Sequence, residues 1–204
     1  MNTYRVLKVK EPMESLAGKR FSPVYDDYAN IADYPWGDYY CPDARACVRW
    51  DEGGLWVTLC AREERISAHE TRFGGPVCVD SCLEFFLNPC PAAQDKYVNV
   101  EVNARGTMHI GVGKERGDRR VLQEMPEDMR LSVSGHMDGW WAVRYYLSWK
   151  LLEELTGAPH EAEMRGNFYT CDERLHPHFG CWSPVLAPAP DFHRPEYFGK
   201  LEII

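Results

Sequence analysis

Asp80-Ser-Cys-Leu-Glu-Phe-Phe-Leu87 and Tyr97-Val-Asn-Val-Glu-Val-Asn103 alternate with a period of two, the repeat that sends successive side chains to opposite faces of a β-strand. In the first run Leu83, Phe85 and Leu87 share one face, and Cys82, Glu84 and Phe86 share the other. In the second, Val98, Val100 and Val102 oppose Tyr97, Asn99, Glu101 and Asn103. Asn88-Pro89 stops one run and Arg105-Gly106 closes the other. With the valine face in a core, Glu84, Asn99, Glu101 and Asn103 face water or a ligand.

Working outward, Ala44 to Trp50 and Leu55 to Ala61 flank the turn Asp51-Glu-Gly-Gly54, a hairpin signal. Arg130 to Met137 and Trp140 to Trp149 flank Asp138-Gly139 in the same way. Tyr4 to Val9, Thr107 to Val112, Met164 to Cys171 and Phe198 to Ile203 add further strands. The one helix predicted runs through Lys150 to Leu155, with Ser148 as its cap and Gly157 as its stop. The segment up to Cys41 and the His/Pro-rich stretch Leu175 to Glu196 read as long loops. Short strands, turns and one helix predict an all-β fold: an antiparallel β-sandwich of jelly-roll or immunoglobulin-like type, formed as a single domain over residues 1–204.

Charge and composition narrow the function classes. A formal net charge of −8 and a pI near 5.4 argue against a nucleic-acid binder, whose affinity comes from clustered Lys and Arg. Met1 to Lys10 has no apolar leader core, and no later run approaches the roughly 18 apolar residues of a membrane span. The expectation is a soluble cytoplasmic protein with no membrane partner. Eight cysteines then read as reduced thiols, and none forms a C-x-x-C pair of the kind that marks structural zinc.

No nucleophile elbow, zinc-protease motif, P-loop or dinucleotide fingerprint is present. Glu84 and Glu101 are the candidate carboxylate pair for a glycan-active hydrolase. His176, His178, Asp191 and His193 are candidate metal ligands, Asp26, Asp27, Asp33 and Asp38 candidate calcium oxygens, and Met108 and His109 candidate haem ligands. A broader constellation combines Glu84, Asn99, Glu101, Asn103, Arg144, Arg165 and Asn167 with Trp182. Sugar recognition needs such parts, because hydroxyls donate and accept while the C–H face of the ring packs on an aromatic plane.

These pieces resemble, in order along the chain from Val77, the family 9 carbohydrate-binding modules and the DOMON-like β-sandwiches related to them. The resemblance rests on Asp80 to Pro89, Tyr97 to Asn103 with Gly106, Trp149, Arg165-Gly-Asn-Phe-Tyr169, Trp182, and Phe192-His-Arg-Pro-Glu-Tyr-Phe-Gly-Lys-Leu201. It implies a non-catalytic β-sandwich that binds an oligosaccharide or the end of a sugar chain, with calcium in a structural role. Carried over by position, Trp182 is one aromatic wall, and Glu84, Asn103, Arg165 and Asn167 form the polar set, with Glu101 beside them. Cys78 stands where the family often has the second aromatic, and Phe73 is the nearest substitute. The alternatives are a hydrolase using Glu84 and Glu101, or a DOMON-like haem or redox-ligand carrier using Met108 or His109.

Overall fold

The computed structural model describes every residue except Ser22, Val24, Tyr25, Asp26, Asp38, His136 and Met137. Thirteen strands are present among the described residues: β1 (Thr3–Lys8), β2 (Ala29–Ile31), β3 (Asp43–Asp51), β4 (Gly54–Arg62), β5 (Cys82–Asn88), β6 (Tyr97–Asn103), β7 (Met108–Gly113), β8 (Arg119–Val121), β9 (Leu131–Val133), β10 (Trp140–Ser148), β11 (Glu163–Asp172), β12 (His178–Cys181) and β13 (Gly199–Ile203). One sheet runs in the order β8-β7-β6-β5-β11-β13-β1, the other β1-β3-β4-β10-β9. Strand β1 belongs to both. It pairs with β13 and with β3, in each case in parallel, whereas the other pairings between named strands among the described residues are antiparallel.

The alternation that predicted β5 and β6 decides what lies between the sheets. Leu83, Phe85 and Leu87 meet Val98, Val100 and Val102, and all six are buried together with Val57, Leu59, Val143 and Tyr145 from the opposite sheet. Removing each such side chain from water contributes roughly 1.5–3 kcal/mol. Both predicted hairpins form, β3–β4 around Asp51 to Gly54 and β9–β10 around Asp138 and Gly139. Strand β9 is shorter than the predicted Arg130 to Met137, whose last residue lies outside the described set.

Helix α1 (Trp149–Thr156) follows β10 directly. Ser148 Oγ accepts from the Leu151 N–H at 3.0 Å, and Gly157 ends the helix at φ 91°, a left-handed conformation glycine adopts without strain. Leu151, Leu152 and Leu155 turn inward.

The stretch read as loop from Leu175 to Glu196 contains β12, which extends one edge of β11 beyond the part covered by β13. The chain after β12 folds back over the outer face of the β5–β6–β11 sheet and forms a second, smaller apolar cluster there. Its members are Cys82, Phe86, Tyr97, Tyr169 and Cys171 from the strands, with Cys181, Val185, Phe192 and Phe198 laid over them. The polar face foreseen in the sequence is therefore partly roofed.

Candidate functional site

Between that roof and the sheet lies a cavity of about 440 Å³. Register sets its floor. Tyr169, Glu84, Glu101 and His109 are consecutive partners across β11, β5, β6 and β7, and the neighbouring row is Asn167, Phe86, Asn99 and Gly111. Glu84, Phe86 and Glu101 line the cavity from below, while Phe179, Phe192 and His193 close it from β12 and the covering segment. Asp191 and Arg116 stand at its side, with the guanidinium donating to Asp191 Oδ1 at 2.8 and 3.0 Å.

The two glutamates are nearly buried, at 2 % and 6 % exposure. Among the described residues neither has an ion-pair partner within 4 Å. Burial, and then the charge of Glu101, hold the Glu84 carboxyl well above the usual carboxylate range. Its hydrogen-bond donor is the Cys171 thiol, 3.2 Å from Oε1. Burial also raises Glu101, opposed by the nearby His109 and by a hydrogen bond of 2.8 Å from Asn99 Nδ2. Asn99 is oriented in turn by Arg119, which donates to its Oδ1 and lies 4.2 Å over the Tyr97 ring. His193 is neutral, its pKa pushed down to about 3 by burial and by the charges of Arg119 and Arg116, and its Nδ1 lies 2.8 Å from the Tyr97 hydroxyl.

Chemically, the cavity offers carboxyl and amide groups on one side and aromatic edges and faces on the other. That is the combination a polyhydroxylated ring needs. The model of carbohydrate-binding family 9 matches residues 24–203.

The chain belongs to carbohydrate-binding family 9.

No protein of curated function matches the sequence. Solved structures share this fold, and three of them are the following. A protein of Bacteroides uniformis ATCC 8492, itself only provisionally described as carbohydrate-binding, is 24 % identical with a TM-score of 0.81, covering 99 % of both chains. A family 9 module from Caldicellulosiruptor kristjanssonii in complex with cellotriose is 11 % identical with a TM-score of 0.64, covering 99 % of this chain and 93 % of its own. The same organism's module in complex with glucose is 11 % identical with a TM-score of 0.66, covering 100 % and 96 %.

Of the positions that the family 9 resemblance singled out, the fold brings Glu84, Glu101 and Cys78 to the cavity and places the others elsewhere. Trp182 is 8 % exposed and packs into the main core, its ring 6.3 Å from Tyr4 and 5.4 Å from Phe168. Its backbone N–H bonds Phe168 O, and its indole packs in the core rather than lining the cavity. Asn103 is fully buried. It donates to Asp80 Oδ2 and Glu70 O and accepts from the N–H groups of Arg105 and Thr107, so it ties down the β6–β7 turn. Asn167 makes reciprocal 2.8 Å bonds with the Ser183 backbone and pins the covering segment to the sheet. Arg165 pairs with Glu163 on β11 at 3.3 Å, two register positions beyond the Asn167 row. Phe73 packs against the main core, and Cys78 lies at the cavity wall.

The metal and haem candidates also disperse. His178 donates to His176 O, Asp191 is taken up by Arg116, and His193 faces Tyr97. Asp27 pairs with Arg49 and Asp33 bridges to Cys181, while Asp26 and Asp38 lie outside the described residues. Met108 points into the core at 1 % exposure and His109 to the opposite face, so the two cannot approach one haem from the same side. Arg144 lies on β10 of the other sheet, bonded to Thr58 and to Glu14 O. Among the described residues, the convergent group of possible metal ligands is Cys82, Glu84 and Cys171, whose two thiols suit calcium poorly.

Phe86, Phe179 and Phe192 line the cavity without having been singled out by the sequence, and His193, read there as a candidate metal ligand, lines it too. Phe86 shares its strand face with Glu84, a signal present in the sequence. Phe179 reaches the cavity through the pairing of β12 with β11, and Phe192 and His193 because the chain after β12 folds back, which no local pattern announces.

Proposed function

We propose that this family 9 protein binds the end of a carbohydrate chain in the cavity over β5, β6 and β11, without carrying out chemistry on it. The observation that carries the reading is the row of Glu84 and Glu101, register partners beneath Phe179, Phe192 and His193. Two adjacent carboxyl groups accept from vicinal hydroxyls, Asn99 fixes one of them, and the aromatic side supplies an apolar plane for the ring. Related modules of the same fold hold cellotriose and glucose, which makes glucose-terminated oligosaccharides the first ligands to try.

A hydrolytic use of the same pair is not favoured. A retaining mechanism needs one carboxylate charged as the nucleophile, whereas burial pushes both of these toward the protonated form. Six of the eight cysteines are buried thiols, which supports a reducing, cytoplasmic setting.

Calorimetric titration with glucose, cello-oligosaccharides and a wider glycan panel tests the proposal. The parent is expected to bind at least one glycan, and Glu101→Gln to weaken that binding by roughly tenfold, equal to about 1.4 kcal/mol. A silent panel, or a Glu101→Gln protein that binds as tightly as the parent, overturns it.

A further inference from the structure

At the floor of the cavity, beside the carboxylate pair, two thiols and a carboxyl group converge. Cys82 and Cys171 are direct register partners on β5 and β11, and Glu84 follows Cys82 on the same face of its strand. The two Sγ atoms and a Glu84 oxygen all lie within 4.8 Å of one another, and all three residues are buried. The Cys171 thiol donates to Glu84 Oε1 at 3.2 Å. Cys171 and Glu84 line the cavity, while Cys82 sits behind them with no exposure.

We propose that Cys82, Cys171 and Glu84 form a binding site for a thiophilic divalent metal ion of the zinc class, with its remaining coordination position open to the cavity. Ligand chemistry points to this class. Thiolates select soft or borderline ions such as Zn²⁺, Co²⁺ and Cd²⁺, and four-coordinate sites with three protein ligands leave one position for water or another oxygen. Calcium and magnesium prefer oxygen-only sites and are excluded by the two sulfurs.

Glu84 is buried against another carboxyl group and, among the described residues, has no cation within ion-pair distance, so no Lys or Arg side chain competes with an ion for its oxygens. On binding, M²⁺ displaces the thiol protons and any proton on the carboxyl group, and the three anionic ligands leave a centre of net charge −1 with no change in oxidation state. The reach of the cavity to Cys171 and Glu84 gives the ion an entry path. The ligands come from strands far apart in sequence, which explains why no C-x-x-C spacing signals them.

The site does not depend on the sugar reading, and its test uses no sugar. Co²⁺ and Cd²⁺ are titrated into the metal-free protein in the presence of a phosphine reductant, and absorption is followed. The expected result is one equivalent of ion, with thiolate-to-metal charge-transfer bands of the intensity of two thiolates. For Co²⁺ the strong visible bands of tetrahedral coordination should accompany them, and Zn²⁺ should bleach both. Cys82→Ser and Cys171→Ser should each abolish the two-thiolate spectrum, whereas Cys78→Ser and Cys60→Ser should retain it.

No charge-transfer band in the parent protein at excess metal overturns the proposal, and that measurement needs no variant to fold. So does a spectrum that survives Cys82→Ser, or one that is lost on Cys78→Ser alone. Should either ligand variant unfold, the conservative Glu84→Gln is expected to weaken Co²⁺ at least tenfold while leaving the near-ultraviolet circular dichroism unchanged. An unweakened Glu84→Gln overturns the carboxylate's place in the site.

Discussion

Glu84 on β5 faces Glu101 on β6 directly across the strand pair, and both carboxyl groups are buried without a cation in ion-pair contact among the described residues. Like groups at this spacing destabilise a sheet, and burial without a counter-charge adds to the cost. The arrangement persists in a sheet otherwise well packed, which fits a ligand-binding role better than a structural one. Glu101→Gln keeps an acceptor for the Asn99 amide and removes a buried ionisable group. The variant is therefore expected to melt no lower than the parent at pH 8, and about 1 kcal/mol more stable is the anticipated direction. Thermal melts of the two proteins check this, and a clear loss of stability contradicts it.

Trp182 and Phe179 should separate stability from recognition. The indole of Trp182 fills the core beside Tyr4 and Phe168, so Trp182→Ala should cost about 3–5 kcal/mol in unfolding free energy. Phe179 lines the cavity with a partly exposed ring. Phe179→Ala should lower glycan affinity roughly tenfold with a much smaller effect on the denaturant midpoint. Chemical denaturation and calorimetry on both variants make the comparison.

Gly111 on β7 lies opposite Asn99, and a Cβ there would stand 2.6 Å from Asn99 Oδ1. Asn99 in turn donates to Glu101. Gly111→Ala should displace this amide and cost about 1–3 kcal/mol of stability. Glycan affinity should fall as well, although residue 111 is not among those lining the cavity. Unchanged affinity would show that Asn99 does not position Glu101 for the ligand.

Glu63 predicts a pH dependence that is independent of the cavity. Its carboxyl group accepts from Trp141 Nε1 at 2.8 Å and lies 2.7 Å from Ser81 Oγ, itself 3.2 Å from Asp172. Burial raises its pKa from 4.5 to about 7. The folded state thus binds the proton more tightly than the unfolded chain. The resulting stability is fully present below pH 4.5 and is lost as pH rises through 7, a change of roughly 3 kcal/mol. Protonated, Glu63 can donate to Ser81 and leave that hydroxyl's one hydrogen for Asp172. Glu63→Gln can make the same donation at every pH, so it should flatten this part of the stability curve and raise the melting temperature at pH 8 relative to the parent. A parallel offset between the two curves would contradict the assignment.

The strands were legible because each carries a period-two pattern that one buried face enforces, as β5 and β6 show. A one-residue slip there would put Glu84 and Glu101 among the valines. The hairpins and the capped helix were legible for the same local reason, through Asp51 to Gly54, Asp138-Gly139, Ser148 and Gly157. What local pattern did not reveal was direction and depth. Order along the chain matches Trp182 to an aromatic wall, yet its indole packs into the core beside Tyr4 and Phe168. Asn103 and Asn167 have the chemistry of sugar ligands, but backbone groups, and for Asn103 also the Asp80 carboxylate, satisfy them first. The parallel pairing of β1 depends on residues at the other end of the chain, beyond the reach of any window of sequence.

That pairing bears on how the protein is made. Residues Thr3 to Val6 take their partners from Lys200 to Ile203, and the two sheets share β1 as their common member. During synthesis β1 emerges long before β13 and cannot take up this pairing until the intervening chain has been made. Contacts of such separation slow folding and leave strand edges open meanwhile. Closure of the sandwich should therefore wait for β13, and the nascent chain should be most prone to misassociation while β1 is exposed and β13 has yet to emerge.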